Sequence, residues 1–246
     1  MDKWIKILTW NCNGALRKKI DSLYTLDADI YIIQECEDPK EASDKNYKEW
    51  AKNYLWTGDN KHKGLGIFAK EDVKLENLVL ESNGLRYFIP CRINNDFNIL
   101  AVWAMDNKEN YEARYIGQVW LAINDYKNLL TDTILIIGDF NSNKIWDYKD
   151  RIGTHSNVIQ KLAEHKIDSL YHKFYKEAQG EETQPTFYLH KNISKPYHID
   201  YIFGSEEFSK SIESLTIGKT EQWLKLSDHM PVIVEMELGN NMDSKV

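Results

Sequence analysis

Short apolar runs that end in polar residues set the pattern of this chain. Runs of roughly four to eight apolar and β-branched residues are typical of buried strands, and turn-forming residues mark their ends. The pattern predicts strands over 5–10, 28–34, 65–70, 86–93, 97–104, 134–138, 199–203 and 231–238, with another possible strand over 73–78. We therefore expect several strands with buried interiors.

Between these strands, apolar residues recur every three or four positions, which indicates helices with one buried face. The spacing predicts helices from Ala15 to Leu26, from Tyr111 to Leu130 and from Ser156 to His165. The residues expected to face the core are Leu16, Ile20, Leu23, Ile116, Val119, Ile123, Tyr126, Leu130, Val158, Ile159 and Leu162. Strands and helices in this mixture predict an α/β protein.

The composition predicts one folded unit. A chain of 246 residues with 42% hydrophobic residues can bury one large core, and no Pro/Gly/Ser-rich linker interrupts it. We expect a single domain over residues 1–246, with a frayed tail over 239–246. The beginning of the chain shows no signal-peptide pattern, and no apolar segment reaches membrane-spanning length.

The cysteines favour a reducing compartment. Cys12, Cys36 and Cys91 are odd in number and match no zinc-binding spacing, so we interpret them as reduced packing residues. We accordingly expect a cytoplasmic protein that does not bind membranes. No feature indicates an obligate protein partner, and a monomer is expected.

The end of the strand over 134–138 carries the strongest chemical signal. Asp139 and Asn141 are two residues apart, so in a strand they lie on one side and can converge on one metal-bound water or phosphate oxygen. Gly138 leaves room for close approach. A plain Gly-Asp turn after a strand is the alternative interpretation.

Other strand ends repeat this arrangement of polar residues. The residues concerned are Asn11, Asn13, Gln34, Glu35, Asp200, Asp228 and His229. A charged residue in or beside a buried strand needs a partner or a metal. Oxygen donors without a Cys/His cluster favour Mg²⁺ or Mn²⁺ over zinc. Because such a metal is usually held together with substrate phosphate oxygens, the expected substrate is a phosphate ester.

Six short motifs follow one another along the chain. They are Trp10-Asn11-x-Asn13-Gly14, Gln34-Glu35, Gly64-x-Gly66-Ile67, Gly138-Asp139-Phe140-Asn141, Ile199-Asp200-Tyr201 and Ser227-Asp228-His229-x-Pro231. Their order and strand context resemble the exonuclease–endonuclease–phosphatase (DNase I-like) superfamily, including its exonuclease III-type abasic-site endonucleases. The resemblance implies a four-layer α/β/β/α sandwich, in which two mixed sheets pack face to face, helices lie outside and strand ends line a cleft.

The resemblance also implies a metal side of the site. Glu35 looks like the principal ligand of Mg²⁺ or Mn²⁺. Asn11 would lie beside it and contact the water shell of the metal or the phosphate. Asp228 looks like a further ligand on the metal or phosphate side.

The remaining residues of these motifs would act on the phosphate and the attacking water. In the superfamily pattern, Asp139 orients and deprotonates the water, and Asn141 is its neighbour on the scissile phosphate. His229 looks like the histidine that binds the phosphate and stabilises developing charge. Asp200 would hold the ring of His229, as carboxylates do in other hydrolytic sites.

One position departs from the superfamily pattern. Many of its nucleases have a phosphate-contacting tyrosine where this chain has Trp103. An indole only donates hydrogen bonds, so it cannot replace a phenol. Arg114 can grip a phosphate instead, although a solvated helix arginine is an equal alternative. His198 either faces the phosphate or has no role there.

The substrate is less strongly indicated by the sequence. A net charge of −7 argues against a strongly basic DNA-binding surface, but a bound metal and a local basic patch can offset it. Lys18, Lys19 and residues 61–63 form two basic clusters, which either contact substrate or are solvated surface. Trp146 can stack on a base or form a wall of the cleft.

Three functions are compatible with these residues. The first is a metal-dependent phosphodiesterase, an endonuclease or exonuclease, that hydrolyses nucleic acid by in-line attack of an activated water. The second is a phosphomonoesterase or a phospholipase C-type hydrolase of a small phosphorylated molecule. The third is a catalytically silent binding module, which is disfavoured because unused clustered carboxylates destabilise a fold unless they are paired.

Overall fold

Two six-stranded sheets organise the protein. The computed structural model describes residues 3–80, 84–131 and 133–238, so the predicted frayed tail lies outside the described residues. Each sheet is mixed, with one parallel pair of strands and otherwise antiparallel neighbours.

The first sheet contains the two ends of the described chain. Its strands are β1 (Lys3–Asn11), β2 (Ile30–Cys36), β3 (Tyr54–Asn60), β4 (Lys63–Ala69), β13 (Ile212–Ile217) and β14 (Val232–Leu238). Their order is β13-β14-β1-β2-β4-β3, and β1 and β2 are the parallel pair.

The second sheet is formed mainly by the middle of the chain. Its strands are β5 (Leu75–Asn77), β6 (Phe88–Ile93), β7 (Phe97–Trp103), β8 (Ile134–Asp139), β9 (Ile167–Ser169) and β12 (Asp200–Ser205). Their order is β5-β6-β7-β8-β12-β9, with β7 and β8 parallel. A separate small ribbon pairs β10 (Phe187–Tyr188) with β11 (Pro196–Tyr197).

Helices cover the outer faces of both sheets. The helices are α1 (Ile20–Tyr24), α2 (Lys45–Trp50), α3 (Ile116–Asp125), α4 (His155–Glu164), α5 (Leu170–Tyr175), α6 (Glu206–Lys210) and α7 (Thr220–Trp223). Of these, α5 and α6 contribute their buried residues to the central core and not to an outer layer. Residues of α1, α2 and α7 pack on the first sheet, and residues of α3 and α4 pack on the second. The four-layer sandwich of two mixed sheets flanked by helices is therefore confirmed.

The strands are apolar on both sides because both sides are buried. Ile7 and Ile32 of the first sheet share the central core with Leu135 and Ile137 of the second. The next residue along β1, Leu8, faces the helices instead. Burial on two faces explains why these strands appear in the sequence as continuous apolar runs without a polar alternation.

The helix predicted from Ser156 to His165 is found at full length as α4, but the other two are shorter than the sequence predicted. The predicted helix from Ala15 consists of a 3₁₀ turn over Leu16–Lys18 and then α1, and Ala15 itself has a left-handed backbone (φ 51°). The long predicted helix begins only at Ile116 and is followed by a 3₁₀ turn over Lys127–Thr131. The residues predicted to face the core are buried, apart from the partly buried Ile159.

Two other expectations can be compared with the structure. The three cysteines are free and buried, and they pack within the hydrophobic clusters. Burial raises the pKa of the Cys91 thiol to about 12, which agrees with a packing role. In the described ranges, every helix is too short or too polar to cross a bilayer.

Candidate active site

The polar strand ends predicted from the sequence meet at one edge of the sandwich. β1 ends at Asn11 in the first sheet, and β8 ends at Asp139 in the second. Asn11 Nδ2 donates to Asp139 Oδ2 over 3.0 Å, so this buried hydrogen bond joins the two sheets. The strand-end cluster, as we call it, comprises Asn11, Glu35, Asp139, Asn141, Asp200 and His229.

Asp139 is the most constrained carboxylate of the cluster. It is fully buried and accepts hydrogen bonds from Asn11 and from the backbone and side chain of Asn141. Burial raises the pKa of Asp139, and the charge of Asp200 raises it further, while the charge of His229 and the hydrogen bonds oppose this rise. Asp139 is therefore a carboxylate that accepts a proton more readily than an exposed aspartate does.

Asn141 reaches Asp139 by a route different from the predicted one. The strand ends at Asp139, and Asn141 has a left-handed backbone (φ 47°) that turns its amide back onto the carboxylate. Its Nδ2 also donates to the Ala104 carbonyl over 2.9 Å. The two side chains thus meet as predicted, but through a turn and not through strand alternation.

The close approach predicted at Gly138 is made by a neighbouring strand. The φ of Gly138 is 148°, and a Cβ atom there would lie 1.9 Å from the Val102 carbonyl oxygen of β7. The space that this glycine leaves is therefore taken by the neighbouring strand and not by a substrate. The close approach fixes the end of β8 against β7 and so positions Asp139.

Glu35 lies in a β-bulge that redirects its side chain. The register between β2 and β4 shifts between Gln34 and Cys36, and Glu35 has φ 63°. Gln34 keeps the inward position and donates to Thr9, while Glu35 Oε1 lies 3.4 Å from Asn11 Nδ2. A left-handed non-glycine residue costs about 1–3 kcal/mol, and such strain and such bulges concentrate at functional sites.

His229 and Asp200 form the pair predicted from the sequence. His229 Nδ1 lies 3.0 Å from Asp200 Oδ2, which also accepts from the Thr186 hydroxyl over 2.7 Å. Burial lowers the pKa of His229, but the charges of Asp200 and then Asp139 outweigh it and raise the pKa to about 9. The buried ring is therefore protonated at neutral pH, next to Asp139.

Thr186 and Phe187 belong to this site but were not predicted. The Phe187 ring lies 4.6 Å from the His229 ring, and Met230 N donates to the Thr186 carbonyl. These contacts hold the loop before β14 against the loop that carries Thr186. The aromatic run over 185–188 was the only signal in the sequence, and aromatic residues in loops are too common to indicate a site.

Two predicted residues are placed away from the strand-end cluster or at its margin. Asp228 Oδ1 accepts from Asn13 Nδ2 over 2.9 Å, so its carboxylate is directed to the loop after β1. Arg114 Nε bonds the Asn107 carbonyl and pairs with Asp106. None of the described contacts of Arg114 reaches the cluster, so this structure does not place it as a substitute for the phenol.

His198 and Trp146 have contrasting environments. The ring of His198 is buried between Tyr171 and Tyr201, and its Nδ1 donates to the Gln184 carbonyl, so it packs as a core residue. Trp146 is 41% exposed, and its ring lies 5.0 Å from Tyr197. Stacking of Trp146 on a base stays a prediction.

The donor set fits a divalent cation with oxygen ligands. Four carboxylates, those of Glu35, Asp139, Asp200 and Asp228, are accompanied by two cationic groups, those of Lys63 and His229. Asp139, Asp200 and His229 place ligand atoms within 4.8 Å of one another, but His229 Nδ1 and Asp200 are already engaged with each other, and Asp139 is held by Asn11 and Asn141. Glu35, with Asn11 beside it, is therefore the better position for Mg²⁺ or Mn²⁺.

Comparison with known proteins agrees with this fold. A model of the Endonuclease/Exonuclease/phosphatase family matches residues 8–229, and the chain belongs to that family. This membership supports hydrolysis of a phosphoric ester as its general activity. In the comparison, no curated protein matched the sequence.

Solved structures show the same fold. A 3′ phosphatase named NExo from Neisseria, bound to a product DNA hairpin, has a TM-score of 0.71 at 18% identity and aligns over 95% of this chain and 100% of its own. An AP endonuclease from Archaeoglobus fulgidus has a TM-score of 0.71 at 16% identity, with the same coverage. A 3′-5′ exonuclease (NExo) from Neisseria meningitidis has a TM-score of 0.69 at 18% identity, also with this coverage.

Proposed function

We propose that this protein is a Mg²⁺- or Mn²⁺-dependent phosphodiesterase that hydrolyses nucleic acid. The observation that carries the proposal is the position of Asp139, held by two carboxamides and adjacent to the protonated His229–Asp200 pair. A base for water and a cation for phosphate thus lie side by side. Such a pair is what in-line attack on a phosphate requires.

The residues of the cluster divide the work in this proposal between water, phosphate and metal. Asp139 takes a proton from the attacking water, and the amides of Asn11 and Asn141 hold its carboxylate in position. His229 donates a hydrogen bond to a non-bridging phosphate oxygen, and Asp200 keeps its ring oriented and charged. The metal ion, held by Glu35 with Asn11 nearby, would neutralise negative charge on the phosphate oxygens.

Two observations support nucleic acid as the substrate. The similar structures include a phosphatase bound to a DNA hairpin and an AP endonuclease. The exposed Trp146 beside Tyr197 offers an aromatic surface on which a base can stack. The net charge of −7 is compatible with this substrate because Lys63 and the metal would supply positive charge locally.

A substrate screen tests the proposal directly. Purified protein would be incubated with plasmid, single-stranded DNA, abasic duplex, RNA, inositol phosphates and sphingomyelin, each with Mg²⁺, Mn²⁺ or EDTA. We expect at least one nucleic acid to be hydrolysed with either metal and not with EDTA. Gel electrophoresis and phosphate release would be measured.

The screen also decides between the alternatives. If only inositol phosphates or sphingomyelin are consumed, the nuclease proposal is wrong and the protein is a hydrolase of small phosphoesters. No turnover of any substrate would favour a binding module. An Asp139→Asn protein, purified in the same way, controls for a contaminating nuclease.

A second test concerns Glu35 and the metal. In Glu35→Gln the shape of the side chain is kept but its charge is lost, so the affinity for Mn²⁺ is expected to fall on the order of 100-fold, the upper end of what loss of a supporting residue causes. Calorimetric titration of metal into metal-free protein measures this affinity without requiring a substrate.

The matched control is Glu49→Gln, which removes an exposed carboxylate from α2. Its metal affinity should equal that of the wild type, and circular dichroism should show that both variants are folded. Unchanged metal binding in Glu35→Gln would remove Glu35 from the metal site.

A further inference from the structure

Lys63 places a positive charge directly on the predicted metal ligand. It is the first residue of β4, and its Nζ lies 2.9 Å from Glu35 Oε2. Within residues 3–80, 84–131 and 133–238, Lys63 is the one lysine or arginine in an ion pair with a carboxylate of the strand-end cluster. The side chain of Glu35 is 17% exposed and that of Lys63 is 48% exposed, so Lys63 reaches into the site from solvent.

The bulge in β2 makes this contact possible. Gly64 is the register partner of Cys36, and Glu35 is the extra residue of the bulge just before it. The bulge therefore turns Glu35 towards the start of β4. Both Lys63 and Asn11 contact the Glu35 carboxylate, at Oε2 and Oε1 respectively.

Trp103 forms the surface on which Lys63 lies. The Lys63 ammonium is 5.7 Å from the centroid of the Trp103 ring, which is only 1% exposed and packs against Tyr87 at 4.7 Å. The Trp103 indole N–H is buried and has no partner in the described part of the chain. A ring this deeply buried cannot contact a substrate, but its face attracts a cation. The polar group exposed above the Trp103 ring is the ammonium of Lys63.

We propose that Lys63 is a phosphate-binding residue that exchanges between Glu35 and the substrate. In the free protein its ammonium neutralises Glu35. A divalent cation at Glu35 competes for the same carboxylate and releases the ammonium, which then binds a non-bridging phosphate oxygen beside it. Lys63 thereby supplies the phosphate contact for which Trp103 is unsuited. This inference rests on the proposed metal-dependent hydrolysis.

The proposal makes two predictions of opposite sign for one substitution. Lys63→Met keeps an unbranched apolar stem over Trp103 but removes the charge. Affinity for Mn²⁺ should rise several-fold, because the competing ammonium is gone. Affinity of the metal-loaded protein for inorganic phosphate should fall about tenfold, the value of one charge-assisted hydrogen bond.

Both affinities are measured by isothermal titration calorimetry, first with Mn²⁺ into metal-free protein and then with inorganic phosphate into the loaded protein. Lys63→Arg keeps the charge, so both of its affinities should lie closer to the wild type than those of Lys63→Met. Lys48→Met, on the exposed side of α2, is the matched control and should change neither. Thermal unfolding would establish that each variant is folded.

The outcomes separate this proposal from the proposed function. If Lys63 only fastens β4 to β2, Lys63→Met lowers the unfolding temperature and leaves both affinities unchanged, and the proposal is wrong. A fall in Mn²⁺ affinity, or unchanged phosphate affinity, overturns it as well. Absence of Mn²⁺ binding by the wild type overturns the proposed function itself.

Discussion

Replacement of Asp139 by asparagine is expected to lower kcat by on the order of 10²–10⁴-fold and to leave KM nearly unchanged. Asparagine keeps the shape of the side chain but cannot take a proton from water. A group that removes a proton acts mainly on the transition state, so its loss lowers turnover more than substrate affinity. Steady-state kinetics on the nucleic acid that the screen identifies would measure both constants.

The hydrogen bonds of Asp139 determine the controls for this experiment. Both of its oxygens accept bonds, whereas asparagine accepts through one atom, so the variant needs a thermal unfolding curve to establish that it is folded. Asp72→Asn, at an exposed turn, is the matched control and should have wild-type kinetics. A loss carried by KM alone would make Asp139 a substrate-binding residue and not the base.

The central strands could be predicted from the sequence because they are buried on both faces. Ile134–Ile137 and Ile30–Ile33 are continuous apolar runs, which few other structures accommodate. The edge strand β3 could not be predicted in this way. It is half-buried and polar at its end, so it lacks both an apolar run and a regular alternation. β13 is also mostly half-buried or exposed and has no continuous apolar run, and β9 has only three residues.

The site could be predicted where its residues end strands. Asn11, Asp139 and Asp200 lie at the ends of buried strands, and the resemblance to the superfamily placed them together. Glu35 reaches the site only through a bulge with a left-handed residue, and bulges leave no regular sequence signal. The Gln34-Glu35 motif identified Glu35, but the alternation of side chains along β2 does not predict the direction in which the Glu35 side chain points.

The contacts that complete the site depend on how distant loops meet. Thr186 bonds Asp200 from a loop whose path is set by the packing of β10 and β11, and Lys63 meets Glu35 across two strands. Neither contact follows from local sequence. Conversely, Arg114 and His198 have suitable chemistry and lie near the motifs in the sequence, yet neither joins the cluster. Arg114 pairs with Asp106, and His198 packs in the aromatic core.

The His229–Asp200 pair is expected to act as one unit in catalysis. Asp200→Asn removes a negative charge from a buried imidazolium, so the pKa of His229 should fall from its raised value of about 9. A protonated His229 binds the phosphate, and activity at saturating metal should therefore decrease as pH rises through this pKa. NMR titration of the imidazole in metal-free wild type and Asp200→Asn measures the pKa directly.

Kinetics of the double variant provide the second measurement for this pair. His229→Ala should lower kcat by about 10²–10³-fold, as loss of one donor to a developing oxyanion does in other hydrolases. Adding Asp200→Asn to it should cost little more, because the carboxylate acts through a ring that is already absent. Asp168→Asn, whose carboxylate pairs with Lys173 away from the site, is the control. The same His229 titration in both proteins, or strictly additive losses in kcat, would mean that Asp200 only supports the fold and that His229 acts without it.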